Sequence, residues 1–316
     1  MRRVDAFHFA LMAAAIGVAY VVPFELLLAS YVFLGPAHYL TEISWLHDRK
    51  YFLPHPLLAF ALAGLALGSA FVMDEFWFGV VVWLALLVAC VTLAGSTGSR
   101  LIFGLVAAAL TVLLLTQQSG FATIAALVPT LIHVSLFTLV FMIVGAHKSG
   151  LKAHALLVVL YLAAIALIVA APPSEATAIP EFAEVAREYF GDVAPALGRV
   201  LGIPDLRLDG RMTGLLAFLY TYHYLNWFIK ADVIRWGDIP RWRLAFVAIG
   251  SVALSALYFH DYALGFMLLL ALSNLHVFLE FPLNGASLRQ LMAIATQAVS
   301  ARTAGPRQSG PPQHGL

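Results

Sequence analysis

The sequence predicts an all-α, polytopic transmembrane bundle of about ten spans, and three observations predict it. Of its 316 residues, 62% are hydrophobic and only 11% are charged, and the mean hydropathy is +0.89. The apolar residues fall into runs of roughly 20, the length that crosses a hydrocarbon core as a helix. When those runs are threaded alternately, the basic residues collect on one side. A soluble globule of this size cannot hide so much apolar surface, because the buried fraction of a globule grows too slowly with length.

The runs are 6–22, 24–46, 53–73, 76–95, 98–117, 121–146, 152–171, 212–230, 242–260 and 262–282. The first is short, with a basic start that resembles a signal sequence. It lacks a clear small-residue cleavage site, and a second apolar run follows at once, so it reads as a retained span. Pro23 divides the two, which form a tight hairpin; a long helix with a re-entrant piece would give nine spans instead. With the N-terminus in the cytoplasm, the inner segments hold Arg2, Arg3, Arg49, Lys50, Arg100, Lys148, Lys152, Lys230, Arg235, Arg241, Arg243, Arg289, Arg302 and Arg307. Only Arg187, Arg199, Arg207 and Arg211 of the 18 basic residues fall outside. Removing one span would misplace Lys230 to Arg243, so ten spans with both termini cytoplasmic fit best, in a bacterial inner membrane.

One bundle domain, 1–302, is therefore expected. Its single sizeable outer segment, 172–211, repeats Phe182, Val185, Ala186, Tyr189 and Phe190 at helical spacing and reads as an amphipathic cap. The tail, 303–316, is rich in Gly, Pro and polar residues and reads as disordered. The formal net charge of +1 says nothing about nucleic acid, but no long basic run or stripe is present, and no nucleic-acid partner is expected. One cysteine, Cys90, excludes an internal disulfide and a cysteine metal knuckle. No P-loop, dinucleotide fingerprint, nucleophile elbow or internal repeat is visible. The oligomeric state is not legible.

Ionisable side chains inside a bilayer are costly, which makes each a functional candidate. His38, His133, His223 and His276 fall on the second, sixth, eighth and tenth runs, all directed from outside to inside. His38, His223 and His276 lie about two turns from the inner end, and His133 about two turns deeper. Glu42 follows His38 by four residues and Glu280 follows His276 by four, each on one helix face with its histidine; Asn226 follows His223 by three. A metal-bound imidazole usually has its other nitrogen held by a carboxylate or amide. Glu42, Glu280 and Asn226 are thus candidate orienting groups, and a glutamate can also ligate. The plain alternative is four separate packing histidines bonded across helices. His47, His55, His147 and His154 sit at inner span ends, with His147 a reserve ligand; His8 and His260 lie near the surfaces. Trp45, Trp227, Trp236 and Trp242 read as an inner aromatic belt. Tyr222, Tyr224 and Trp227 are the candidate wall for a flat apolar substrate.

These patches resemble those of the bacterial membrane-bound beta-carotene dioxygenases of the Brp/Blh type. That family has a Gly-Leu-Pro-His motif followed by an acid, where this chain has Gly35-Pro36-Ala37-His38 and Glu42. Ile-Ile-His corresponds to Leu131-Ile132-His133. The aromatic-rich run before a histidine corresponds to Tyr220-Thr221-Tyr222-His223. The last motif, histidine then Asp-Phe, corresponds to His276 with Glu280-Phe281. Asn226 stands where the family tends to have a further histidine. The resemblance implies a polytopic oxygenase that holds Fe(II) on His38, His133, His223 and His276 and combines dioxygen with a carotenoid-like or lipid substrate. Residue chemistry alone also allows a proton-coupled transporter with a His/Glu relay, or haem held by pairs of these histidines.

Overall fold

The computed structural model describes residues 3–49, 56–68, 75–93, 129–174, 209–230 and 238–303, with isolated residues between them. Every regular element among the described residues is helical. These are α1 (Arg3–Val21), α2 (Pro23–Ala29), a π-helical turn (Ser30–Leu34), α3 (Gly35–Asp48), α4 (Pro56–Gly68) and α5 (Glu75–Leu93). Then come α6 (Pro129–Ser149), α7 (Lys152–Ala170), α8 (Gly210–Ile229), α9 (Arg241–His260) and α10 (Tyr262–Thr303). Four of them, α6, α7, α9 and the Tyr262–Ser300 part of α10, are long and apolar enough to cross a membrane. Most of the expected run 98–117, most of the outer segment and the tail beyond 303 lie outside the described residues.

Helix ends follow the local sequence. Pro23 opens α2 in the first turn, where a missing N–H costs nothing. Asp209 caps α8, its Oδ1 accepting from the Met212 amide at 2.9 Å. Gly150 ends α6 in the left-handed conformation, φ +63°, which a residue without Cβ adopts freely. The expected tenth run stopped at 282, yet α10 continues through Pro282 to Thr303. At 1.5 Å per residue its 42 residues are about twice the thickness of a bilayer core. Apolarity marks where a helix meets lipid, not where its hydrogen bonds stop.

Helix α10 is the central post. It packs against α3, α4, α5, α6 and α9, while α8 packs against α1, α2, α3, α6 and α7. Two-thirds of the apolar window of α10 is buried (67%), against 17% for α9 and 22% for α7, which form the rim. Gly265 lets α10 cross α9 closely: a Cβ there would sit 2.3 Å from the Tyr258 Cα. At one end of the bundle Arg243 of α9 donates to both carboxylate oxygens of Asp48 at 2.7 Å. That bond holds the Asp48 carboxyl below its usual range. Of the four helices that carry the histidines, α10 meets α3 and α6, and α8 meets the same two, inside this frame.

Candidate metal centre

Two π-helical turns shape the site. The first, Ser30–Leu34, lies just before Pro36, which has no N–H for the turn behind it. The carbonyl of Val32, which Pro36 would leave unmatched, accepts instead from the Ser255 hydroxyl of α9 at 2.8 Å. The second, His133–Phe137, sits within α6 and begins on a histidine. Its carbonyls at Val134 and Ser135 face the Tyr161 hydroxyl of α7 at 3.4 and 3.3 Å. A π-turn bonds residue i to i+5 and so brings residues five apart onto one face. That is why His133 and Thr138 both reach the same ring, His223.

One ring nitrogen from each of His38, His133, His223 and His276 lies within 4.8 Å of the others. All four residues are buried, with 0%, 1%, 8% and 1% of their surface exposed. His133 Nε2 is 3.0 Å from His223 Nε2, and His223 Nε2 is 3.1 Å from His38 Nε2. The rings form a closed cycle. Centroids are 4.7 Å apart for His38 and His223, 4.6 Å for His223 and His133, 5.0 Å for His133 and His276, and 5.3 Å for His276 and His38. Successive planes stand at 77° to 85°. Two ligands at right angles on a transition metal, each bonded at about 2.1 Å, are about 3.0 Å apart. The observed nitrogen spacing is therefore that of neighbouring ligands on one ion.

The outer nitrogens explain why lone pairs point inward. The Thr138 hydroxyl meets His223 Nδ1 at 2.7 Å. A carboxylate oxygen of Glu280 lies 2.8 Å from His133 Nδ1, off the line of a well-aligned hydrogen bond. With N–H on those δ nitrogens, both Nε2 atoms carry lone pairs and face each other. Buried lone pairs at 3.0 Å repel, and a cation between them removes the conflict.

The expected partners are rearranged. Glu280 lies beside His133 on another helix, rather than beside His276 on its own. His223 is held by Thr138, not by Asn226, although Asn226 is buried one turn away. Glu42 does keep to His38, with Oε2 3.0 Å from Nε2. Sharing a helix face places two side chains on one stripe; which neighbour fills that stripe is decided by packing. His276 has no aligned hydrogen-bond partner at either ring nitrogen among the described residues; the carbonyls of Leu272 and Ser273 lie nearby, off the bond line. The Tyr39 ring stacks on it instead, at 4.4 Å and 26°, and the Tyr39 hydroxyl meets that of Tyr224 at 2.5 Å. Thr138 and Tyr39 went unnoticed in the sequence. The trace of Tyr39 in the sequence is Gly35 four residues before it; in the structure a Cβ on Gly35 would lie 3.1 Å from the Tyr39 hydroxyl and 3.2 to 3.3 Å from its ring.

The aromatic candidates divide. Tyr224 and Trp227 border His38, with centroids at 5.0 and 5.6 Å. Trp227 is buried and donates to Thr41 at 2.9 Å, so it belongs to the site and not to an interfacial belt. Tyr222 turns away to stack on Phe218 and pack against Tyr161. The reserve ligand His147 is exposed and takes no part, and His154 bonds Ser149. His55 and Trp236 lie outside the described residues.

A site built from four histidines on four helices defines a protein that could hold a transition-metal ion within a helical membrane bundle. Comparison with protein-family models, curated proteins and solved structures finds no match for the chain.

Proposed function

We propose that this chain is a membrane-embedded non-haem iron oxygenase that acts on a hydrophobic, lipid or carotenoid-like substrate. The observation that carries the reading is the approach of three buried Nε2 atoms to 3.0 and 3.1 Å, with a fourth histidine in the same sphere. An imidazole-rich set with adjacent carboxylates suits ferrous iron among the common divalent metals. When bound, that ion supplies the one-electron chemistry that dioxygen needs. The chain's own residues bury the centre, exclude water and fix the rings through Thr138, Glu280 and Tyr39. Tyr224 and Trp227 offer apolar faces beside His38 for an extended substrate. Both dioxygen and such a substrate concentrate in lipid. The order of the four histidine motifs along the chain, similar to that of the Brp/Blh-type dioxygenases, supports the same reading.

The basic residues support ten spans with both termini cytoplasmic, in a bacterial inner membrane. A porphyrin fills four equatorial positions around its iron, so four imidazoles crowded into one sphere argue against haem. A proton-coupled permease would instead show flux in liposomes without bound metal.

Elemental analysis and an absorption spectrum of detergent-purified protein test the reading. The expected result is one iron per chain with no Soret band. H133A and H223A lower metal content to less than about a tenth while the bundle stays folded, since each removes one of the ligands that the metal needs. Wild-type protein without stoichiometric metal would overturn the proposal. Colour loss in a carotenoid-producing host tests the narrower substrate claim.

A further inference from the structure

We infer that Glu42 is a fifth ligand of the ion held by the four histidines, whereas Glu280 stays outside that ion, beside His133 and in contact with the Glu42 carboxyl. The inference rests on the metal-site reading above. Both glutamates follow a histidine by four residues, so spacing ranks them equally. The structure separates them by the ring nitrogen each one addresses. His38 turns Nε2 toward His223, and Glu42 Oε2 lies 3.0 Å from that same Nε2. The other nitrogen of His38, Nδ1, meets no hydrogen-bond partner among the described residues. His133 also turns Nε2 toward His223, but Glu280 Oε2 lies 2.8 Å from its Nδ1, the outward nitrogen.

An imidazole nitrogen bonded to a metal carries no proton. A carboxylate oxygen beside it therefore accepts nothing from it, and two lone-pair atoms in contact repel. Glu42 is 1% exposed, so water does not screen that repulsion. A cation between oxygen and nitrogen turns it into attraction. The 3.0 Å separation is also that of neighbouring ligands with bonds of about 2.1 Å. Glu280 instead stands where an orienting carboxylate stands, on the nitrogen away from the metal.

The test uses the purified full chain loaded with Co(II), whose visible bands report ligand number and geometry. Wild type binds one Co(II) per chain. E42Q shifts the bands and changes their intensity, and E42H, which offers a nitrogen in place of the oxygen, restores the wild-type intensity. E280Q keeps the wild-type bands while losing affinity by about 10- to 100-fold, as other outer-shell changes do. Loading also produces a coordinated-carboxylate band in the infrared difference spectrum of wild type, and E280Q retains it. That comparison decides the matter even if the Glu42 variants do not fold. Unchanged bands in E42Q, or loss of the carboxylate band in E280Q, overturn the assignment of Glu42 alone. Failure of wild type to take any metal overturns the site itself.

Discussion

At the scale of single residues, the site depends on groups that touch histidines rather than on the histidines alone. Thr138 is the clearest, because its hydroxyl meets a ring of the histidine cluster, at 2.7 Å from His223 Nδ1. T138V keeps the shape and removes the bond. Metal affinity should fall about 10- to 100-fold, the usual consequence of losing an outer partner, and T138S should restore most of it. Equilibrium dialysis against a metal buffer measures both. Gly35 acts through Tyr39. Replacing it with alanine favours the helix by roughly 0.5–1 kcal/mol. The new Cβ, however, would lie 3.1 to 3.3 Å from a Tyr39 side chain pinned between His276 and the Tyr224 hydroxyl. Overpacking of that kind costs about 1–3 kcal/mol, so the net effect should be destabilising. A G35A protein as heat-stable in detergent as wild type would show that Tyr39 moves freely. The four-histidine cluster was legible in the sequence because ionisable groups in apolar runs are costly and four of them fall on similarly directed runs. Their partners were not, because Glu280 reaches His133 across a helix interface that no local spacing encodes.

At the scale of elements, the π-turns set which residues share a face. In a regular α-helix His133 and Thr138 would point well apart, since residues three and four apart are the neighbours. The turn His133–Phe137 removes that difference, and both meet His223. This was invisible in the sequence, where His133 was placed by counting ordinary turns. Deleting Leu136, which is 48% exposed and packs little, takes one residue out of the turn. The helix should survive and insert, but either His133 or Thr138 must leave His223. Metal affinity should drop by at least as much as in T138V, whichever of the two contacts is lost. A deletion variant that binds metal like wild type would show that the turn is incidental.

At the scale of the whole molecule, one chain serves two solvents. Polar atoms gather where α3, α6, α8 and α10 meet, while α7 and α9 turn large apolar side chains outward. On α9, Phe246, Ile249 and Val252 are each about two-thirds exposed, far more than isolated exposed apolar residues on a soluble protein would warrant. The apolar runs made that division predictable as a class, but the sequence could not rank the helices by centrality. Helix α10 looked like any other run, yet its window is 67% buried against 17% for α9. Ile249 lies near the middle of α9, so lipid is its expected neighbour. I249K puts a charge at that depth, which costs about 2.5–3.5 kcal/mol for the lysine on the insertion scale. It touches neither the histidines nor their partners. Such a variant should accumulate in the membrane fraction at well under half the wild-type level, while whatever protein does insert binds metal with unchanged affinity. I249L should behave as wild type in both respects. If I249K inserts as efficiently as wild type, that face of α9 meets water or protein, and α9 is not at the rim of the bundle in the membrane.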